Sequence, residues 1–272
     1  MYLHIYIKGY TRNIMSQLTN RIDKQNIINI AKQQFESEQR STIPTELVRL
    51  PSQGKLYATT SPLRSGVLEM RYMTAYDEDI LTNMSYAREG VLLDRLLESI
   101  IVTPGVSVDE IAQCDRDALI IQSRIMSYGP EYPVMVTDPK TNKSLDRTVD
   151  LRKLKHKPFN LESDENGEFT YIVNDSITLK YKFLTAAQVK TISPEHSISD
   201  ILTLMIRQVN ESRKPADIAQ YIKYSFLAVD SRKFRQHVDE NTPAVDLLVE
   251  FEGDAGDTFS SVFPIGSDLL WV

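Results

Sequence analysis

Leu50-Pro51-Ser52-Gln53-Gly54-Lys55-Leu56-Tyr57, then Ser61-Pro62-Leu63 and Gly66, then Met73-Thr74-Ala75-Tyr76-Asp77-Glu78-Asp79-Ile80-Leu81, is the stretch whose reading decides the fold. Proline fixes its own backbone angle and biases the residue before it towards extended form, while glycine opens the left-handed turns. Pro44, Pro51, Pro62, Gly54 and Gly66 therefore predict an ordered, extended arm with two sharp turns across residues 41–72, with a short strand near Val67, Met70 and Tyr72. Thr74 lies three residues before Asp77, a capping-box-like helix start with acids in the first turn. With the helices and hairpins downstream of it, this stretch predicts an α+β chain, a helical bundle with small antiparallel β-hairpin sheet elements.

Working outward, Tyr76, Ile80, Met84 and Ala87 share one helical face, and Gly90 interrupts the pattern. Leu92, Leu93, Leu96, Leu97, Ile100 and Ile101 make a second, strongly apolar helix, stopped by Pro104-Gly105. A third helix starts near Asp115, runs through Leu119, Ile121 and Ile125, and ends at Gly129-Pro130. Three helices with short connections predict a bundle. Residues 131–184 change character to hairpins, with strands at 132–136 and 148–151 and then at 169–173 and 177–183. Helical patterns return at 197–211, 215–228 and 230–240. Two short strands, near 245–251 and 259–265, flank the turn Gly253-Asp254-Ala255-Gly256-Asp257. Upstream, apolar residues at 14, 18, 22, 27, 28, 31 and 35 form a narrow helical stripe between Ile14 and Phe35. The first residues alternate like a single strand. Translation from Met15 instead of Met1 would leave residues 1–14 outside the protein. The expected organisation is an N-terminal extension (1–43), the arm and three-helix bundle (44–130), a hairpin module (131–184), a helical segment (185–243), and a terminal hairpin with an acidic tail (244–272).

The chain has 272 residues, 42% hydrophobic and 25% charged, enough to bury a core. A net charge of -6 supplies no global basic field, so nucleic acid is not an expected partner. No apolar run approaches the ~20 residues of a membrane-spanning helix, so no membrane association is expected. The single cysteine, Cys114, forms no internal disulfide and fits a reducing cytoplasm. His4, His156, His196 and His237 are scattered, without metal-ligand spacing. Asp77-Glu78-Asp79 is explained by the helix dipole, and 253–257 lacks the alternating acids and closing Glu of a calcium loop. Nucleophile-elbow, P-loop and dinucleotide fingerprints are missing. The expectation is a non-enzyme with no catalytic, cofactor or metal residues. Lys140, Lys143, Arg147, Arg152, Lys153, Lys155 and Lys157 make one basic stretch. No Lys or Arg follows Arg235, although eight acids do. These opposite charges either pair within one chain or join separate copies, and the sequence leaves both open.

The order of these parts, continued by Asp115-Arg116-Asp117 with Arg124 and Tyr128-Gly129 and by the hairpin leading into Leu184-Thr185, resembles the baseplate hub assembly proteins of T4-like contractile-tailed bacteriophages. The likeness runs from about Leu50 to Trp271. It implies a non-catalytic, chaperone-like assembly factor that binds other baseplate and hub proteins in the host cytoplasm. The alternative it leaves is a permanent subunit of the hub, resident in the virion tail. A tail-associated hydrolase is a more distant reading. Some relatives carry cysteine pairs in the hairpin near 137–143 and in the terminal hairpin. Here the turns read Thr137-Asp138-Pro139-Lys140 and Gly253-Asp254-Ala255-Gly256, so backbone chemistry must hold them. Pro51, Ser52, Gly54, Tyr57 and Trp271 are the candidate partner contacts, because ordered loops and aromatics concentrate at interfaces. Asp115, Asp117, Arg124, Tyr128 and Gly129 are expected to be structural, with Arg124 pairing to an acid of the Tyr76 helix.

Overall fold

Two strands open the fold because the arm between them turns back on itself. The computed structural model describes residues 43–193, 195–262 and 267–270. The chain divides into two compact units, Met1–Pro44 and Thr45–Val272, and nearly all described residues belong to the second. The expected 14–35 helix, the choice of start and Trp271 lie outside the described residues. Strands β1 (Thr45–Arg49) and β2 (Val67–Arg71) pair antiparallel, with Val48 opposite Leu68. The arm is the long loop between them.

The expected first helix is two helices, α1 (Ala75–Leu81) and α2 (Met84–Glu89). Asn83 breaks them apart, because its side-chain oxygen accepts the N–H groups of Ser85 and Tyr86 and starts a new helix. Ile80 and Leu81 are buried, whereas Tyr76 and Met84 are exposed, so the expected apolar face is not continuous. Helix α3 (Leu92–Ile100) buries Leu92, Leu96, Leu97 and Ile100, a stripe at i, i+4, i+5 and i+8. Truncating Leu96 or Leu97 to alanine would cost about 2–5 kcal/mol at such fully buried positions. Helix α4 (Gln113–Tyr128) runs through the core beside α3.

Downstream, β3 (Glu131–Thr137) pairs with β4 (Ser144–Asp150), and β5 (Phe169–Asn174) pairs with β6 (Ile177–Tyr181). The short helix α5 (Ala186–Thr191) is capped by Thr185, whose hydroxyl accepts the Gln188 N–H. Helix α6 (Ile198–Met205) is shorter than the expected 197–211 pattern. Residues Ile206–Val209 instead form β7, a third strand along β6 with Leu179 opposite Val209. Pairing with an open sheet edge overrides the helical spacing there. Helices α7 (Pro215–Tyr224) and α8 (Ala228–Glu240) follow, and Phe234 of α8 meets Tyr171 and Tyr181 edge-on. The last hairpin is β8 (Leu248–Glu252) with β9 (Thr258–Val262). Among the described residues the sheets have two or three strands and none closes into a barrel, so the fold is α+β as expected. No described helix is long and apolar enough to cross a membrane.

Candidate functional site

The arm is tied down by its own backbone before any side chain acts. Leu50 N–H donates to the Gly66 carbonyl at 2.9 Å, closing the loop at its base. Gly54 sits at φ +78°, and a Cβ there would lie 2.3 Å from the Arg64 carbonyl oxygen. Gly66 sits at φ +70°, and its Cβ would meet the Gln53 backbone at 2.7 Å. Each turn thus needs glycine twice over, for conformation and for the approach of the opposite chain.

Asp115, in the first turn of α4, is the anchor. Its carboxylate accepts the Ser52 N–H at 2.9 Å, the Ser52 hydroxyl at 2.6 Å and the Tyr57 hydroxyl at 2.5 Å. The Tyr57 oxygen in turn accepts the Ala112 N–H at 3.1 Å. Asp115 is fully buried, and burial raises its pKa above the ordinary carboxyl range despite these donors. Burial likewise raises the Tyr57 hydroxyl and the Cys114 thiol well above their usual values, with the Asp115 charge adding to both. Cys114 is therefore a packing residue, not a poised nucleophile.

A second buried carboxylate fixes the helix start. Arg71 grips Asp77 with two parallel bonds of 2.7 and 2.8 Å, and Ser99 adds a third at 2.7 Å. Burial opposes ionisation of Asp77, but the donors from Arg71, Ser99 and the Thr74 N–H outweigh it and hold its pKa below the ordinary value.

The expected structural residues take these places. Asp117 is half-buried and accepts from Gln113 at 2.7 Å. Tyr128 donates to Glu78 of α1 at 3.1 Å. Gly129 stops α4 at φ +86°. Arg124 does not pair with an acid of the Tyr76 helix. Its guanidinium donates to the carbonyls of Gly129 at 2.8 Å and Glu131 at 3.3 Å and lies over the Tyr128 and Tyr132 rings. It caps the end of α4, where a cation meets the helix dipole, while the Tyr76 helix gives Asp77 to Arg71 and Glu78 to Tyr128.

The candidate partner contacts fall inside. Pro51, Ser52, Gly54 and Tyr57 are all buried in this chain. The arm residues that face solvent are Gln53, Thr59, Thr60, Pro62 and Ser65. Thr60 and Pro62 line a groove of about 640 Å³ together with Lys182, Phe183 and Arg207.

At the other end, the two turns singled out in the sequence meet. Asp138 accepts the Lys140 N–H at 2.8 Å and the Thr141 N–H at 3.2 Å with one oxygen, and the Asp254 N–H at 3.1 Å with the other. Lys140 pairs with Asp257 at 2.7 Å, Lys143 with Asp254 at 2.5 Å, and Arg147 donates to the Glu252 carbonyl at 2.7 and 3.0 Å. The basic hairpin and the acidic terminus therefore pair within one chain, the internal alternative of the two left open. Sequence reasoning missed both the Arg71–Asp77 grip and the Asp138 latch. Only the second had a visible signal, the opposite charges of the two turns. Among the described residues no group of three or more His, Cys, Asp or Glu could hold a metal ion.

Comparison with known proteins gives one match. No curated protein and no solved structure matches this chain. The family model described as T4 bacteriophage base plate protein matches residues 42–224, from the foot of β1 to the end of α7. The matched stretch contains the arm, the Asp115 anchor, the Arg71–Asp77 grip and the β5–β6–β7 sheet, and stops short of α8 and the β8–β9 hairpin. Spanning well over half of the sequence, it places this chain in the T4 bacteriophage base plate protein family.

Proposed function

We propose that this baseplate-family chain is an assembly factor for the baseplate hub, a non-catalytic protein that binds other baseplate proteins while the tail is built in the infected cell. The observation that carries this reading is the occupation of the motif's own chemical groups. Asp115, Asp77 and Tyr57 are each buried and hydrogen-bonded within the chain. A carboxylate held by several intrachain donors is a scaffold part, whereas a catalytic acid or base needs access to a substrate. A rigid arm held this way presents Thr59, Thr60 and Pro62 in a fixed shape, with little ordering entropy lost on docking.

Co-purification of the tagged chain from infected cells, with particles and tail intermediates separated by sedimentation, tests the proposal. Hub proteins recovered with the chain in intermediates, and its absence from mature particles by mass spectrometry, are the expected result. Stoichiometric copies in mature particles would make it a permanent hub subunit instead. A lytic band in peptidoglycan zymography would overturn the non-catalytic reading.

A further inference from the structure

Among the described residues, the β8–β9 hairpin has one edge with partners and one edge that no strand pairs. Strands of an antiparallel pair alternate between residues bonded to each other and residues whose backbone groups point outward. Gly253 N–H bonds to the Asp257 carbonyl at 2.6 Å, which sets the phase. Phe251–Phe259 and Val249–Ser261 are then the bonded pairs, and Thr258, Ser260 and Val262 turn their N–H and C=O groups away from β8. On the β8 side the outward Glu252 carbonyl is taken by Arg147, and the chain just before β8 pairs with residues 155–157. On the β9 side no described strand pairs. Native edges are usually blunted by proline, lysine or a bulge. Thr258-Phe259-Ser260-Ser261-Val262 has no proline and no charge, and its register with β8 is regular.

The face beside this edge has its own chemistry. Leu248 and Val262 are cross-strand partners, 59% and 67% exposed, and make an apolar end. Glu250 and Glu252 follow on the same exposed face, opposite the small residues Ser260 and Thr258. An added strand would lie about 10 Å from β8, two strand spacings, a gap that a lysine and a glutamate close together across a small residue. We infer that the β9 edge takes an extended segment of another protein as a third strand, with an apolar residue beside Val262 and Lys or Arg at the next two alternate positions, beside Ser260 and Thr258. Backbone bonds at Thr258, Ser260 and Val262 supply affinity, and Glu250 and Glu252 select the basic residues. The inference rests on reading the chain as a protein-binding baseplate component and assigns that binding to a surface outside the family match.

A short synthetic peptide alternating threonine with valine, lysine and lysine in that order is the probe, used with the full chain. The expected result is saturable binding that weakens with salt, with slowed hydrogen exchange at the N–H groups of Thr258, Ser260 and Val262. Ser260→Pro removes an outward N–H without touching the β8–β9 ladder, and is expected to weaken binding about tenfold. Glu250→Lys leaves the backbone intact and is expected to shift preference to a glutamate-substituted peptide. Absence of exchange protection, or equal binding by Ser260→Pro and Glu250→Lys, overturns the inference. So does concentration-dependent dimerisation that Ser260→Pro abolishes, which would give the edge to a second copy. Failure here leaves the co-purification test of hub assembly unaffected, so the two readings fall separately.

Discussion

Asp115 and Asp138 perform the same local task in opposite surroundings. Each accepts a backbone N–H from a turn far along the chain, 63 residues away at Ser52 in one case and 116 away at Asp254 in the other. Asp115 lies under the helices, and burial raises its pKa. Asp138 is fully covered, yet only by two turns with little protein beyond them. The N–H of Lys140, then those of Asp254 and Thr141, hold its pKa below the ordinary range. Three donors on each carboxylate, one N–H and two hydroxyls at Asp115 and three N–H groups at Asp138, thus accompany opposite charge preferences, because depth decides whether desolvation or hydrogen bonding wins. The contrast predicts a fixed joint in the interior and a reversible latch at the surface.

The hardest test of that contrast is Asp115→Ala. It strands the Ser52 N–H and hydroxyl and the Tyr57 hydroxyl in the core, and is expected to cost about 3–5 kcal/mol in urea unfolding. A loss below about 1 kcal/mol would remove Asp115 from its role as anchor. The pH dependence has a definite sign. A carboxyl with a raised folded pKa binds its proton more tightly in the folded state, so its contribution falls as pH rises from the ordinary carboxylate range to the raised value. Asp115→Asn should flatten that slope.

Arg71→Ala comes next, at about 3 kcal/mol, since it leaves the buried Asp77 facing only Ser99 and Thr74. Asp77 has the opposite sign to Asp115. Its depressed pKa gives stability that is present above the ordinary carboxylate range and is lost as pH falls through the folded value, and Arg71→Ala should weaken that acid sensitivity. Gly54→Ala, with φ +78° and the Arg64 carbonyl in the way, should cost about 2–3 kcal/mol without changing either pH slope. A changed slope would mean that the arm positions Asp115, rather than Asp115 the arm.

The sequence showed the arm's two glycine turns, the capped helix start, three of the four hairpins and the α+β class, because prolines, glycines and short apolar alternations act locally. It read the arm as extended, whereas residues 51–57 are turns and Pro62–Ser65 is a 3-10 helix. It misjudged whatever depends on a neighbour in space. Ile206–Val209 reads as helix until β6 offers an edge. Tyr76 to Ala87 reads as one helix until Asn83 finds two backbone N–H groups to accept. Arg124 reads as an ion-pair partner because its charge is visible and the Gly129 carbonyl beside it is not. Ser52 and Tyr57 sit in an ordered loop, as interface residues do, but 58 to 63 residues downstream Asp115 takes their polar groups inward.

The smallest effects belong to the latch, and they sharpen the contrast most. Lys140 and Lys143 are largely exposed, and their pairs with Asp257 and Asp254 are screened by solvent. Replacing either by alanine should move Tm by about one degree or less, and added salt should erase even that. Asp138→Ala should lower Tm more than either lysine change, because it frees three backbone N–H groups at once and unties the two turns. Its depressed pKa makes the latch an acid-sensitive joint, present above the ordinary carboxylate range and lost as pH falls through the folded value. The protection of the Lys140, Thr141 and Asp254 N–H groups, taken relative to the intrinsic exchange rate at each pH, should therefore fall with pH while the Ser52 N–H on Asp115 stays protected. If both sites open together, the two carboxylates belong to one cooperative unit, and depth alone does not separate the joint from the latch.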